Sequence, residues 1–133
     1  MHSNTQKILV ADDDQKIRSL LSQSLEQQGF LVTSVSDGIQ AWEALQADVF
    51  DLLITDDDMP GLSGKELLRR IEGDRLVLPV IIASGSTTGT CVNHNAQGQI
   101  SASLPKPFRM QELLDLMQNL MKAARQTSIP SCG

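Results

Sequence analysis

Cysteines and aromatic residues are scarce in this sequence. Its 133 residues include two cysteines, one tryptophan, three phenylalanines and no tyrosine. Cys91 and Cys132 have neither C-x-x-C spacing nor the Cys and His clustering of a zinc site, so we expect two free thiols. A chain of this length buries roughly two-thirds of its unfolded surface, which is enough to fold without disulfides or a structural metal.

Long apolar runs and an excess of basic residues are also lacking. No apolar stretch approaches the ~20 residues of a membrane span, and residues 1–6 are polar, unlike a secretion signal. Eleven Lys and Arg against 16 Asp and Glu give a net charge of −5, which disfavours nonspecific binding to nucleic acid. We therefore expect a cytoplasmic protein that binds neither membranes nor nucleic acid directly.

Short apolar runs alternate with amphipathic segments along the chain. The amphipathic segments repeat apolar residues at helical spacing, whereas the apolar runs are bounded by polar residues or turns. The predicted strands are 7–11, 30–35, 52–55, 80–83 and 102–104, and the predicted helices are about 15–28, 39–46, 64–72 and 110–125. This alternation predicts a doubly wound α/β fold, with a five-stranded parallel sheet covered by helices on both faces. It predicts one domain at 7–125, between an N-terminal extension at 1–6 and a C-terminal tail at 126–133.

The segment between the fourth and fifth predicted strands departs from this alternation. A crossover helix is required there, yet residues 86–101 contain two glycines, two asparagines and three threonines, which are poor helix formers. Only Val92, Ala96 and Ile100 repeat at helical spacing. We expect a fourth helix that is short or irregular, in a mobile segment.

Six of the 16 acidic residues form two triplets, at positions 12–14 and 56–58. Each triplet follows a predicted strand, and Ser84 and Lys106 follow two other strands. The carboxyl ends of parallel strands meet at one edge of the sheet, so these groups are expected to converge. Neighbouring carboxylates repel each other unless a cation lies between them, and oxygen ligands suit Mg²⁺ or Mn²⁺. Such a site can neutralise a phosphoryl group while Asp56 attacks phosphorus and becomes an aspartyl phosphate.

Cap and turn residues offer a simpler explanation for parts of this pattern. Asp14 suits the N-cap of the helix that follows it, and the second triplet precedes Met59-Pro60-Gly61 as solvated turn residues would. Neither triplet has the alternating acids and the downstream glutamate of a Ca²⁺ loop. The functional interpretation therefore depends on the conjunction of all these residues at the strand ends.

This conjunction resembles the receiver domain of two-component response regulators, over essentially residues 7–125. The stretches that carry the resemblance are ILVADDD (8–14), DLLITDDDMPGLSG (51–64), PVIIASG (79–85) and LPKPF (104–108). The resemblance implies the flavodoxin-like strand order 2-1-3-4-5. It also implies a phosphoacceptor signalling domain in a phosphorelay, whose donor is a histidine kinase or a phosphotransfer protein and whose downstream partner is unknown. Such a domain is not an enzyme on other substrates, because it catalyses only its own phosphorylation and dephosphorylation.

The resemblance also assigns the phosphoryl-transfer residues. Asp56, four residues before the proline of Met59-Pro60, corresponds to the phosphoacceptor. Ser84 corresponds to the residue whose hydroxyl moves onto the phosphoryl group, and Lys106 corresponds to the lysine that receivers carry in this site. Because receivers commonly have a cis Lys-Pro bond, Lys106–Pro107 is a candidate cis peptide.

The metal ligands follow in the same way. The resemblance makes Asp13 the expected direct ligand of Mg²⁺ or Mn²⁺, with Asp12 acting mainly through water and Asp56 also in the metal-binding set. Asp58 corresponds to the residue that offers its backbone carbonyl to the metal.

Two features depart from the family pattern. Ser103 stands where receivers commonly carry Tyr or Phe, and the fourth helix is degenerate, so we expect signalling through another surface. The acidic Asp57 and Asp58 after the acceptor are expected to slow attack by anionic phosphodonors or by water. Ser84-Gly85, the weak fourth helix and LPKPF together resemble receivers of hybrid sensor kinases, so the domain is either free-standing or part of a longer chain.

Two other functions remain open at this point. A Mg²⁺-dependent phosphatase resembling the haloacid dehalogenase group would use Asp12 as nucleophile and Asp14 as acid/base, although no acidic pair follows Lys106 and no cap segment is present. A pseudo-receiver would bind partners without turning over phosphate, although the acidic residues and Lys106 are intact.

Overall fold

Strands and helices alternate along the chain of the computed structural model, which describes residues 5–86, 89–95 and 98–123. The strands of this described part are β1 (Lys7–Ala11), β2 (Leu31–Val35), β3 (Leu52–Asp56), β4 (Val80–Ser84), β5 (Cys91–His94) and β6 (Ile100–Pro105). Its helices are α1 (Gln15–Gln27), α2 (Gly38–Ala47), α3 (Gly64–Gly73) and α4 (Met110–Ala123). The predicted extension and tail fall largely outside the described residues, so the domain boundaries stay a prediction.

The strands form one sheet in the order β2-β1-β3-β4-β6-β5. The first five strands in this order pair in parallel, and β5 pairs antiparallel with β6. All five residues of β3 and all five of β4 are buried, because helices cover both faces of the central strands. The predicted doubly wound α/β fold is confirmed, and the five parallel strands have the expected order.

Each face of the sheet has its own hydrophobic core. On one face, α1 and α4 contribute buried residues such as Leu25 and Met117. On the other face, α2 and α3 contribute Leu45 and Leu67. Among the described helices, none is long and apolar enough to cross a membrane. The two cores fix the central strands from both sides and so hold their carboxyl ends in place.

The helices begin at the edge of the sheet where the parallel strands end. Asp14 caps α1 by accepting the backbone N–H groups of Lys16 and Ile17, as its position predicted. Ser63 caps α3 in a capping box with Glu66, in which each side chain accepts the other residue's backbone N–H. These caps position the first turns of α1 and α3 beside the strand ends.

The connection between β4 and β6 differs from the prediction. Its described residues contain no helix, and Cys91–His94 instead form the edge strand β5. The expectations of five purely parallel strands and of a short or irregular fourth helix are therefore wrong in this region. The expected mobility of the segment stays a prediction.

The residue pattern of β6 explains why a strand replaces the helix. Ile100, Ala102 and Leu104 are buried, whereas Ser101 and Ser103 between them are only half-buried. Alternation with period two suits a strand with one solvated face, and the serines give a covering helix little apolar surface. Val92 pairs with Ala102 in the antiparallel ladder and packs against the core of α1 and α4. Its apolar character therefore reflects strand packing.

Cys91 is disulfide-bonded, so the expectation of a free thiol is wrong for this residue. Cys132 lies outside the described residues. Sequence spacing could not reveal the bond, because disulfide formation depends on the distance between Cα atoms in the folded chain.

A buried glutamine ties the segment that enters β4 to the start of β6. Gln99 is 2% exposed. Its Oε1 accepts the backbone N–H of Leu78 at 3.0 Å, and its Nε2 donates to the carbonyls of Leu78 and Ile100. The side-chain amide therefore pairs both backbone polar groups of a buried residue.

Replacing this glutamine tests that function. Gln99→Met keeps a long side chain but leaves the buried N–H and C=O of Leu78 without these partners, and we expect a loss of about 1–3 kcal/mol in the free energy of unfolding. Urea denaturation measures the change. The control Gln23→Met, at an exposed position of α1, should stay within about 0.5 kcal/mol of wild type. Equal stability of the two variants would contradict this explanation.

Candidate functional site

The four sequence-predicted strand-end groups lie side by side at one edge of the sheet. Asp12 follows β1, Asp56 ends β3, Ser84 ends β4, and Lys106 follows β6. Backbone hydrogen bonds continue the pairing at these positions: Asp12 N–H to Val35 O (3.2 Å), Asp57 N–H to Ala83 O (2.9 Å) and Lys106 N–H to Ser84 O (3.0 Å). The sheet itself therefore sets the spacing between the functional groups.

Asp56 and Lys106 are in direct contact. The Asp56 carboxylate is buried, and its Oδ1 accepts a hydrogen bond from Lys106 Nζ at 2.7 Å. The backbone N–H of Asp58 donates to the same oxygen at 3.4 Å. Neither of these hydrogen bonds reaches Oδ2. The peptide bond between Lys106 and Pro107 is cis, as the resemblance implied.

Three carboxylates are close enough to bind one cation. Asp12, Asp13 and Asp56 each place an oxygen within 4.8 Å of the other two, with Asp12 and Asp56 buried and Asp13 exposed. Ligand oxygens on one octahedral Mg²⁺ lie about 3–4 Å apart, given metal–oxygen distances near 2.1 Å. The donor set and its spacing therefore fit a hard divalent cation.

The charges in this cluster act on one another. Burial, together with the charges of Asp56 and Asp13, raises the pKa of Asp12, against the lowering effects of the Asp14 N–H, which donates to its Oδ1 at 2.9 Å, and of the Lys106 ammonium. Burial on its own would lower the pKa of Lys106, but the hydrogen bond and the charge of Asp56 outweigh it and raise the pKa overall. Lys106 is therefore a stable cation at neutral pH, while the site still favours uptake of further positive charge.

The hydroxyl of Ser84 is held within its own turn. Ser84 is buried, and its Oγ lies 3.0 Å from Ser86 Oγ and accepts the Ser86 backbone N–H at 3.2 Å. It faces the same cleft as Asp56. To contact a group bound on Asp56, the Ser84 hydroxyl would have to exchange these hydrogen bonds.

Asp57, the residue after Asp56, binds the first turn of α3. Asp57 Oδ1 accepts the backbone N–H of Lys65 at 3.3 Å, and Lys65 Nζ lies 3.7 Å from Asp57 Oδ2. The approach of α3 is close, since a Cβ at Gly64 would lie 2.9 Å from the carbonyl oxygen of Asp56. The sequence suggested that Asp57 is a solvated turn residue. In the structure it also connects β3 to α3.

A cleft of about 680 Å³ contains these groups. It is lined by Asp12, Asp13, Asp14, Ile17, Asp56, Asp57, Asp58, Ser63, Lys65, Ser84, Gly85, Ser86 and Lys106. Sequence analysis did not identify Ser63, Lys65 or Ser86 as cleft residues. The Ser63-x-x-Glu66 capping pattern could have placed the first turn of α3 at this edge, whereas Ser86 carries no comparable signal.

Comparison with known proteins gives the same family as the residue pattern. The family model "Response regulator receiver domain" matches residues 8–118. The response regulator MprA of Mycobacterium tuberculosis is 34% identical over 122 residues, which are 90% of this chain and 52% of that protein. The chain thus spans about half the length of this relative.

Solved structures share the fold over nearly their whole length. The receiver domain of the Francisella response regulator 1452 is 29% identical, with a TM-score of 0.77 over 89% of this chain and 98% of that one. The response regulator TrrA of Thermotoga maritima, solved in complex with Mg²⁺-BeF, is 25% identical, with a TM-score of 0.73 over 87% of this chain and 99% of that one. Strand order, relatives and the family match agree, and this chain belongs to the receiver domain family of two-component response regulators.

Proposed function

We propose that Asp56 accepts a phosphoryl group in a reaction that depends on Mg²⁺ or Mn²⁺, and that the domain thereby carries a signal. The observation that supports this most strongly is the 2.7 Å contact between the buried Asp56 carboxylate and Lys106. A buried acid with a fixed cation on one oxygen has the other oxygen available for attack. The neighbouring acids Asp12 and Asp13 add the cation-binding set.

The proposed phosphoryl transfer needs no co-reactant besides the phosphodonor. Asp56 Oδ2 attacks phosphorus, an O–P bond forms, and the bond from phosphorus to the leaving group breaks with its electron pair. As the carboxylate loses its charge, the Lys106 ammonium is close enough to turn from Oδ1 to a phosphoryl oxygen. The Ser84 hydroxyl, released from Ser86, would donate to another phosphoryl oxygen. The domain acts on itself in this scheme and not as an enzyme with a separate substrate.

The metal would be held by oxygens of residues that line the cleft. Asp12, Asp13 and Asp56 supply carboxylates, and we assign the backbone carbonyl of Asp58 to the same ion. When bound, the cation neutralises the phosphoryl oxygens and the carboxylates around them. The complex of the similar response regulator TrrA with Mg²⁺-BeF supports the choice of Mg²⁺ as the cation.

The phosphodonor we propose is a histidine kinase or a phosphotransfer protein. An apolar cavity of about 600 Å³ adjoins Asp56 and Lys106, lined by residues of α1 and of the segment that leads into α4. Leu20 on α1 is 62% exposed at its rim. An apolar surface beside the acceptor lets a protein donor dock while its phosphoryl group reaches Asp56. Because Ser103 replaces the usual aromatic and β5 replaces the fourth helix, the downstream partner would have to contact a different surface.

Phosphorylation by a small donor tests the acceptor. Incubation with acetyl phosphate and Mg²⁺ should add the mass of one phosphoryl group to the wild-type protein, and chelation of the metal should prevent it. Asp56→Asn should show no gain, because its amide is not a nucleophile of comparable strength. Asp115→Asn, a matched change at an exposed position of α4, should be phosphorylated like wild type. Intact-protein mass spectrometry measures all three proteins.

The same experiment separates the two other functions. Steady release of phosphate without an adduct, abolished by Asp12→Asn, would indicate a phosphatase with Asp12 as nucleophile. Neither adduct nor release would indicate a pseudo-receiver that only binds partners. Either result would contradict the proposed function.

The raised pKa of Asp12 gives a test of the charge cluster. Because the pKa of Asp12 lies above its usual value of 3.8, the folded state binds a proton more readily than the unfolded state, and ionisation costs stability as pH rises through the folded-state pKa. Asp12→Asn keeps an acceptor for the Asp14 N–H, so at pH 7 without metal it should raise the melting temperature. The gain should vanish below the usual aspartate pKa, where Asp12 is protonated in both states.

Added Mg²⁺ should reverse the order of the two proteins. The metal should raise the melting temperature of the wild type more than that of Asp12→Asn, because binding to the folded state stabilises it. The control Glu43→Gln removes one exposed charge from α2 and should show neither effect. A metal-free Asp12→Asn protein that melts at or below the wild-type temperature would rule out the proposed repulsion.

A further inference from the structure

Lys65 is the second cation of the phosphoacceptor cleft. It lies in the first turn of α3, lines the same cleft as Asp56 and Lys106, and has a 64% exposed side chain. Lys106 is bound to the acceptor at 2.7 Å, whereas Lys65 Nζ stands 3.7 Å from Asp57 Oδ2. The two lysines therefore occupy different depths: one contacts the acceptor, and the other stands at the rim.

The negative charge of the cleft repels the anionic phosphodonors that have to enter it. Its lining includes six carboxylates and two ammonium groups, a formal charge of −4. A divalent cation leaves this balance negative, and phosphodonors are themselves anions. Each cation at the mouth therefore lowers the electrostatic cost of approach, and its effect depends on ionic strength.

The contact of Lys65 with Asp57 is easily exchanged. At 3.7 Å the two charged atoms are farther apart than in a hydrogen bond, and the Lys65 side chain is 64% exposed, so solvent competes for its ammonium although the Asp57 side chain is 18% exposed. Asp57 also keeps a second partner at this residue, since the backbone N–H of Lys65 donates to its Oδ1 at 3.3 Å. The ammonium can thus leave Asp57 on its flexible four-carbon stem while the backbone contact between β3 and α3 persists.

We propose that Lys65 recruits the anionic phosphodonor: its ammonium leaves Asp57 and binds an oxygen of the incoming phosphoryl group at the mouth of the cleft. This inference rests on the proposed phosphorylation of Asp56. It makes Lys65 a determinant of donor charge, because a more highly charged donor gains more from the rim cation. Once the phosphoryl group is on Asp56, Lys106 contacts it, and Lys65 has no part in the loss of the phosphoryl group.

The test compares Lys65→Gln with Lys122→Gln, which removes the same charge from the last turn of α4, roughly 18 Å along the helix from Met110. The second-order rate constant for phosphorylation by acetyl phosphate is measured at low and at high salt. Lys65→Gln should lower it about threefold to tenfold at low salt, and the difference should shrink to less than about twofold near 1 M salt, where the screening length is about 3 Å. Lys122→Gln should match wild type at both salt concentrations.

Further readouts separate recruitment from a structural defect. Phosphoramidate, which carries less negative charge than acetyl phosphate at pH 7, should show a smaller difference between the variants. The rate of phosphoryl loss and the affinity for Mg²⁺ should not fall in Lys65→Gln. A defect that persists at high salt, or a Lys65→Gln rate equal to that of Lys122→Gln, would overturn the role of Lys65. If the wild-type protein is phosphorylated in either case, the proposed function stands independently of this result.

Discussion

Lys106 and Asp56 meet at 2.7 Å although 50 positions separate them in the chain. Asp56 would otherwise be a buried carboxylate beside Asp12 and Asp13, with no fixed cation near its oxygens. The ammonium offsets this repulsion only in part, because the pKa of Asp12 stays raised. A site built in this way keeps an excess of negative charge and therefore favours a divalent cation.

The sheet and the loops hold this arrangement rigidly. Ladder hydrogen bonds continue to the residues that flank the site, so that the β1, β3, β4 and β6 ends keep their spacing. Gly64 lets α3 approach the backbone of Asp56 more closely than a side chain at this position would allow. The Asp57 side chain accepts the backbone N–H of Lys65 and so also connects β3 to α3. The carboxylates are therefore concentrated at strand ends whose backbone hydrogen bonds keep them from moving apart.

Sequence patterns predicted the parallel strands, the Asp14 cap and the convergence of acids with Lys106, because each depends on local periodicity or on the rule that strand ends share one edge. The edge strand β5 was missed, since poor helix formers exclude a helix without specifying its replacement. The alternation of apolar residues with Ser101 and Ser103 indicates a strand with one solvated face. The disulfide at Cys91 and the contact of Asp57 with Lys65 depend on distances between segments that no pattern in one sequence encodes.

A crystal structure grown with Mg²⁺ and beryllofluoride would show whether Asp56 is the acceptor beside Lys106 and a bound cation, since this anion can stand in for a phosphoryl group on a carboxylate. We expect beryllium bonded to Asp56, Lys106 Nζ within hydrogen-bonding distance of a fluorine, and Mg²⁺ coordinated by Asp13 and Asp56 beside Asp12. Beryllofluoride bound to another carboxylate, or Mg²⁺ bound away from these three residues, would contradict this expectation.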